Sequence, residues 1–365
     1  MNRFLLTLAL AASVASAADD TIKLKTGDVK GKITRLEIDG ITYEVQGQAK
    51  TVRPDEIAGF VLGDPPSKQK EAETKVNARD FPAAIAAYNA AYTDASRGGR
   101  GDVYKQFILL GLARAQRATN DLAGALATLS KMRKECPKAY AYVEGAREAL
   151  DIAKKLGDDA KARDVLNEMR AAAEPIKGYG EVEAARKACD DKDYAAASKA
   201  LTAVLGNSSQ PYAADAKALN IRVLRGQKNW QALETFCRAI LPNKSTTPPS
   251  LMQAACAGLG DSLMDKAKSD KAALHDAIVS YAEAISIGPP GKGQPADDYV
   301  DALLNSARAV MLAGQGAGKP EALAAATARA QGYYAEVLRQ YQGTDWANTA
   351  KSEMDALGGG GGEPK

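Results

Sequence analysis

Few residues in this chain could do chemistry, and their spacing argues against most of it. The 365 residues contain one histidine, His275. Catalytic imidazoles and structural zinc sites need nearby partners, and His275 has neither a second histidine nor a cysteine close in sequence. It reads as a helix-surface or capping residue. The four cysteines, Cys136, Cys189, Cys237 and Cys256, match no Cys-x-x-Cys metal or redox spacing. Acidic pairs such as Asp158-Asp159, Asp190-Asp191 and Asp297-Asp298 have the composition of a glycosidase dyad. They sit at expected helix starts, where carboxylates complement the helix dipole. Gly314-Gln-Gly-Ala-Gly-Lys319-Pro320 looks like a phosphate loop, but Ala313 and Pro320 occupy positions where that motif needs Gly and Ser/Thr. No enzyme activity, metal or cofactor is expected. With Lys+Arg 48 against Asp+Glu 45 and no basic cluster, no nucleic acid is expected either.

The elements that must position any binding residues begin with an address. Met1-Asn2-Arg3 is basic, Phe4 to Val14 is apolar, and Ala15-Ser16-Ala17 is a small-x-small cleavage site. Residues 1–17 are therefore expected to be a signal peptide, and the mature chain to start at Ala18 in the periplasm or outside the cell. No transmembrane segment is expected in that mature chain. In an oxidising compartment the cysteines acquire a second reading. Cys237 and Cys256 fall on consecutive expected helices at similar distances from their turn, so they are candidates for a disulfide. The alternative is that all four cysteines are small buried hydrophobes.

Two composition regimes follow. Residues 18–63 alternate with the period of strands. Val29 and Ile33 share one strand face, whereas Leu36 and Ile38 have the opposite parity, so a bulge or bend is expected between them. Asp39-Gly40 and Gly47 mark turns, and Asp55-Glu56-Ile57 reads as one helical turn. Five short strands imply a small β-barrel of SH3-like or Sm-like type. The stretch Ile22-Lys-Leu-Lys-Thr-Gly-Asp-Val-Lys-Gly31 resembles the first two strands of Sm-like proteins. That resemblance implies a fold, and no RNA function is carried over. Residues 64–67, Asp-Pro-Pro-Ser, form a Pro-rich linker.

Residues 68–357 change to helical period. One triplet recurs: a small residue, a large apolar residue four on, and a further apolar or small residue three later. It reads Ala84/Tyr88/Ala91, Ala125/Leu129/Met132, Ala162/Leu166/Met169, Ala197/Leu201/Val204, Ala232/Phe236/Ala239, Ala277/Tyr281/Ala284 and Ala330/Tyr334/Val337. Asp80, Asp121, Asp158, Asp193 and Asn229 precede the first five of these helices as expected N-caps. The segment Ala277-Ile-Val-Ser-Tyr281-Ala-Glu-Ala284, with Pro289 beyond it, resembles the second helix of a tetratricopeptide repeat. Tyr334 to Tyr341, followed by Thr344-Asp-Trp346-Ala, is similar to family members in envelope proteins, with Gln342 where those usually carry proline. The resemblance covers about four-fifths of the chain. It implies a mainly α protein, an α-solenoid of about seven degenerate helix pairs. Residues 358–365 form a Gly-rich tail expected to be disordered.

The family presents the first helix of each pair, on a concave face, to a peptide or protein segment. Tyr104, Lys105, Tyr140, Tyr142, Tyr179, Tyr212 and Tyr299 fall on those helices and are candidate contacts. Tyrosine buries area at low entropic cost and keeps a polar tip, but each of these rings could equally fill an interhelical groove. The function expected is a non-catalytic scaffold of the cell envelope that binds a protein or peptide. The alternative is a structural envelope protein that binds peptidoglycan or another polysaccharide through the barrel. The sequence leaves the oligomeric state open.

Overall fold

A computed structural model describes residues 19–95, 101–207, 209–243, 245–291 and 296–358. The expected signal peptide and nearly all of the expected tail lie outside these residues. The chain divides into two compact units, one ending at Lys177 and one beginning at Gly178.

The first unit opens with an antiparallel sheet of five strands: β1 (Asp20–Leu24), β2 (Gly27–Glu37), β3 (Gly40–Val45), β4 (Gln48–Val52) and β5 (Ile57–Val61). Their order is β4-β3-β2-β1-β5, and no ladder joins β4 to β5 among the described residues. Closure comes from a shared core, made possible by the bend in β2. The β2–β3 register shifts between Ile33 and Arg35, so Thr34 is the extra residue. That single insertion reverses the parity, and Ile33 and Leu36 both end up buried. The β3–β4 hairpin turns through Gln46 and Gly47 with φ of 52° and 78°, the left-handed pair that a two-residue hairpin needs. The expected helical turn is a 3-10 turn at Pro54–Glu56.

Six helices follow in this unit: α1 (Ser67–Asn77), α2 (Phe81–Ala95), α3 (Gly101–Ala118), α4 (Leu122–Glu135), α5 (Tyr142–Leu156) and α6 (Asp159–Ala171). A sheet this small buries little by itself, and it completes its core on α3. Val103 and Phe107 pack with Ile22, Ile33, Leu36, Ile41 and Tyr43. Polar ties fix the orientation. The buried Gln106 amide donates to Leu36 O at 3.1 Å, and its oxygen accepts from Ala141 N at 3.0 Å. Ile38 N donates to Lys138 O at 2.9 Å. Tyr104 Oη donates to Asp64 O at 2.7 Å. Asp20, fully buried, accepts from Ile33 N at 2.6 Å and Gly63 N at 2.7 Å, tying the first strand to the start of the helical region.

The second unit holds the rest of α7 (Ile176–Asp190), then α8 (Tyr194–Leu205), α9 (Ala213–Gly226), α10 (Trp230–Ile240), α11 (Pro249–Lys266), α12 (Ala272–Ser286), α13 (Asp297–Gly316), α14 (Pro320–Gln340) and α15 (Asp345–Ala356). The described helices thus form seven consecutive pairs and a closing helix. The protein is mainly α, with tetratricopeptide-like helix pairs after an antiparallel five-stranded sheet.

Each expected triplet lies on a second helix, and six of the seven are buried throughout. The fifth slips by one residue. On α10 the buried stripe is Leu233, Cys237 and Ile240, while Ala232 and Phe236 are half-buried and Ala239 is exposed. The partner helix explains the shift: Gly258 on α11 leaves room that Cys237 Sγ and Leu233 Cδ1 fill. Glycine is also what admits large rings. A Cβ on Gly111 would lie 2.5 Å from the Tyr88 ring, and one on Gly260 would lie 2.5 Å from the Tyr281 ring.

The turns within the first five pairs share one device. Arg79, Asn120, Gly157, Lys192 and Lys228 take φ between 54° and 65°. The next residue caps the second helix: Asp80, Asp121, Asp158, Asp193 and Asn229 accept from the backbone amide three positions on.

Replacing Gln106 with Leu should strand Ala141 N in a buried joint, leave Leu36 O with only its long bond from Tyr140 N, and cost about 2 kcal/mol. Urea unfolding followed by far-UV circular dichroism measures this. An unchanged midpoint would mean that the amide does not fasten the sheet.

Candidate functional site

Polar side chains link successive pairs on second helices, as Tyr92 of α2 to Glu135 of α4 at 2.7 Å and Arg133 of α4 to Glu168 of α6 at 3.1 Å, and on first helices. In the first unit, Arg114 on α3 pairs with Glu148 on α5 at 2.5 Å and also with Glu144. In the second unit, Arg222 on α9 reaches back to Asp190 on α7 at 3.1 Å. Farther along, Arg308 on α13 pairs with Glu353 on α15, which also accepts from Tyr334 Oη at 2.8 Å.

The densest part of this network surrounds Arg225, at the C-terminal end of α9. Its Nε lies 2.6 Å from Asp261 Oδ2 on α11. Its Nη1 lies 3.3 Å from Asp298 Oδ1 and 3.1 Å from Asp301 Oδ2, both on α13. Asp261 also accepts from Tyr281 Oη at 2.7 Å and Asn305 Nδ2 at 2.9 Å. Asn305 in turn accepts from Arg308 Nη1 at 2.6 Å. Sequence dictates this convergence: Asp298, Asp301, Asn305 and Arg308 recur at three- and four-residue steps, which places them on one face of α13.

Three carboxylates share one guanidinium, and charge balance is what they lack. Burial works against ionised Arg225, but attraction to Asp261, Asp298 and Asp301 outweighs it and raises its pKa above the ordinary value. Burial pushes Asp301 up to about 6; Arg225 pulls it back, and Asp261 and Asp298 push it further up. Asp298 is raised as well, by burial first and with Arg225 again opposing. Their side chains remain 36% and 32% exposed, whereas Asp261 is 9% exposed. The outer two carboxylates therefore face solvent at the edge of a buried cation. Tyr281 is held well above its ordinary range, by burial and then by Asp261, so it stays a hydrogen-bond donor.

The candidate contact residues from the sequence are scattered by comparison. Tyr104, Tyr142, Tyr212 and Tyr299 are at most 5% exposed and fill grooves between helices. Tyr142 sits beside Glu168, and burial is the larger reason its pKa rises to about 12. The structure brings Tyr179 and Tyr212 together, edge to face at 5.6 Å. Lys105 is half-buried and pairs with Asp102 at 3.5 Å and Glu135 at 3.8 Å. Tyr140 is 40% exposed, with its ring edge-on to Phe60 at 5.2 Å. Cys237 and Cys256 share one core cluster on α10 and α11, and all four cysteines are buried thiols. Burial raises the Cys237 thiol to about 12.

Sequence reasoning missed Arg225, Asp261, Asp301, Asn305 and Arg308. The available signal was Asp261, a lone carboxylate inside the apolar run Leu251–Leu263. Among the described residues, no three His, Cys, Asp or Glu side chains are placed to hold a metal ion. No helix there is long and apolar enough to cross a membrane.

No family model and no curated protein matches the sequence. Among solved structures, the chain is similar to a tetratricopeptide repeat protein from Parabacteroides merdae, at 12% identity and a TM-score of 0.50. That match covers 80% of this chain and 97% of the other. It is also similar to PilW, a type IV pilus biogenesis factor, at 16% identity and a TM-score of 0.44, over 67% of this chain and 98% of that one. The first likeness shows a common fold of stacked helix pairs.

A carboxylate whose folded pKa exceeds its unfolded value favours the folded state at low pH. That advantage is present below the unfolded value, near 4, and is lost as pH rises through about 6. Asp301→Asn keeps the hydrogen-bonding shape without the charge. Thermal unfolding between pH 4 and 7.5 should show the variant gaining on the wild type as pH rises. With discounting for solvent screening of this part-exposed group, the gain at pH 7.5 should be about 1 kcal/mol. A variant that loses stability at pH 7.5 would show that the Asp301–Arg225 pair is net favourable.

Proposed function

We propose that this chain is a non-catalytic scaffold of the cell envelope that holds a segment of another protein against its first helices. The observation that carries this reading is the Arg225 centre, where Asp298 and Asp301 expose unneutralised carboxylate at the edge of a rigid, cross-linked helix face. Stacked helix pairs offer extended surfaces of this kind. Because neighbouring first helices are already fixed to one another by ion pairs, a partner need not order them on binding, which limits the entropic cost. The sheet, anchored on α3, extends the surface of the first unit as a fixed second element.

Export is part of the proposal and rests on residues 1–17. N-terminal sequencing of the chain expressed with its own leader should read Ala18 first. An intact Met1 would remove the envelope from the reading while leaving the docking role untouched.

Photo-crosslinking of the full chain in cells tests the docking face. Reporter side chains would replace Tyr140, exposed in the turn that leads into the first helix α5, Asp297, exposed at the start of the first helix α13, and Ala239 on the second helix α10. A discrete protein adduct is expected from Tyr140 or Asp297 and not from Ala239. Equal adducts from all three sites would refute the face assignment. Adducts with wall polymer alone, from Tyr140, would support polysaccharide binding beside the sheet.

A further inference from the structure

In the second unit, α12, α13 and α14 leave an open groove of about 320 Å³. This lies at the small end of the ligand-site range, about 300–1,000 Å³. Its walls are Ile278 of α12, the stretch from Val310 near the end of α13 to Ala317 just beyond it, and Ala322, Ala325, Ala326 and Arg329 of α14. It has a clear origin. Ala326 Cβ would lie 2.4 Å from a Cβ on Gly314, so α13 and α14 meet closely there. Small side chains then fail to fill the space that Ile278 only borders. The floor from Val310 to Ala317 is about 10 Å long, two helical turns. A helix seated there would present apolar residues at i, i+3 or i+4, and i+7.

Charge selects the chemistry of the occupant. Arg329 stands in the otherwise apolar wall, exposed, with the Tyr333 ring 6.0 Å away and no ion-pair partner among the described residues. Lys319, the residue before α14, lies in the chain between the lining residues Ala317 and Ala322, and Lys271 is the residue before α12, seven ahead of Ile278. Neither has an ion-pair partner among the described residues, and both are exposed. His275, the one histidine of the chain, lies on the same side of α12 as Ile278. Against these cations stand Glu321 of α14 and Asp270, which precedes Lys271 and accepts from Ala272 N at 3.0 Å, while Asp276 lies on the far side of α12. The groove is thus apolar with a cationic rim.

We infer that this groove is a second docking site, for an amphipathic helical segment of another protein whose apolar side chains fill it and whose Asp or Glu side chains meet Arg329, Lys319 and Lys271. It is separate from the first-helix face, since two of its three walls belong to second helices.

The test uses the full chain and random 16-residue peptides displayed on phage. Peptides would be selected on the wild type and counter-selected on Ala325→Trp, which fills the groove from an exposed wall position. Recovered sequences should combine Leu, Ile or Val at helical spacing with an excess of Asp and Glu. By fluorescence anisotropy, such a peptide should bind the Lys319→Glu/Arg329→Glu variant about tenfold more weakly. Its affinity for the wild type should fall between 0.05 M and 0.3 M salt, as screening of surface charge demands. Both variants must retain wild-type circular dichroism; if Ala325→Trp does not fold, the charge variant serves as the counter-selection target. Peptides recovered without acidic enrichment, groove-dependent binding that ignores the double charge reversal, or no groove-dependent peptide at all would overturn the inference. Peptides that the counter-selection removes bind Ala325→Trp as well and so engage another surface, which lets the groove fail without touching the first-helix proposal.

Discussion

Close approach of helix to helix is the constraint on which this protein is built. Aromatic residues make up only 6% of the chain, so the core cannot rely on large rings meeting large rings. Instead each pair places a small residue where the helices cross and a large one a turn away. Ala277 beside Tyr281, and Tyr281 laid across Gly260, show both halves of the arrangement. Ring area is buried against backbone, and the dispersion attraction between them depends on the missing Cβ. From this follow the recurrent alanines, the spacing of the pairs and the position of every side chain that points outward.

Much of the fold was legible because its signals are local. The N-caps at Asp121, Asp158, Asp193 and Asn229 depend on side chain and backbone within four residues. The β2 bulge could be read from the parity of Ile33 and Leu36 alone. The fifth pair misleads because Ala232/Phe236/Ala239 and Leu233/Cys237/Ile240 are both apolar stripes of one helix. The choice between them lies in Gly258, on the next helix. Nor does the sheet segment reveal that its core is finished by Val103 and Phe107 of α3.

The candidate site was far less legible. Tyrosine at first-helix positions suggested a binding face, but four of those rings are at most 5% exposed. A side chain with a large apolar body and one hydroxyl serves an interior as well as an interface. Arg225 carries no sequence mark of its own. Its importance arises from three carboxylates on two other helices, the nearest 36 residues away.

That arginine also changes how the last repeats share their stability. In a simple stack each repeat answers only to its neighbours, and free energy adds link by link. Arg225 belongs to the fifth pair, Asp261 to the sixth, and Asp298 and Asp301 to the seventh. One side chain therefore spans two interfaces. Peeling away the seventh pair would leave a buried guanidinium without two of its counter-charges inside the fifth. The last three pairs are thereby joined into a single cooperative block, whose members gain little by fraying one at a time.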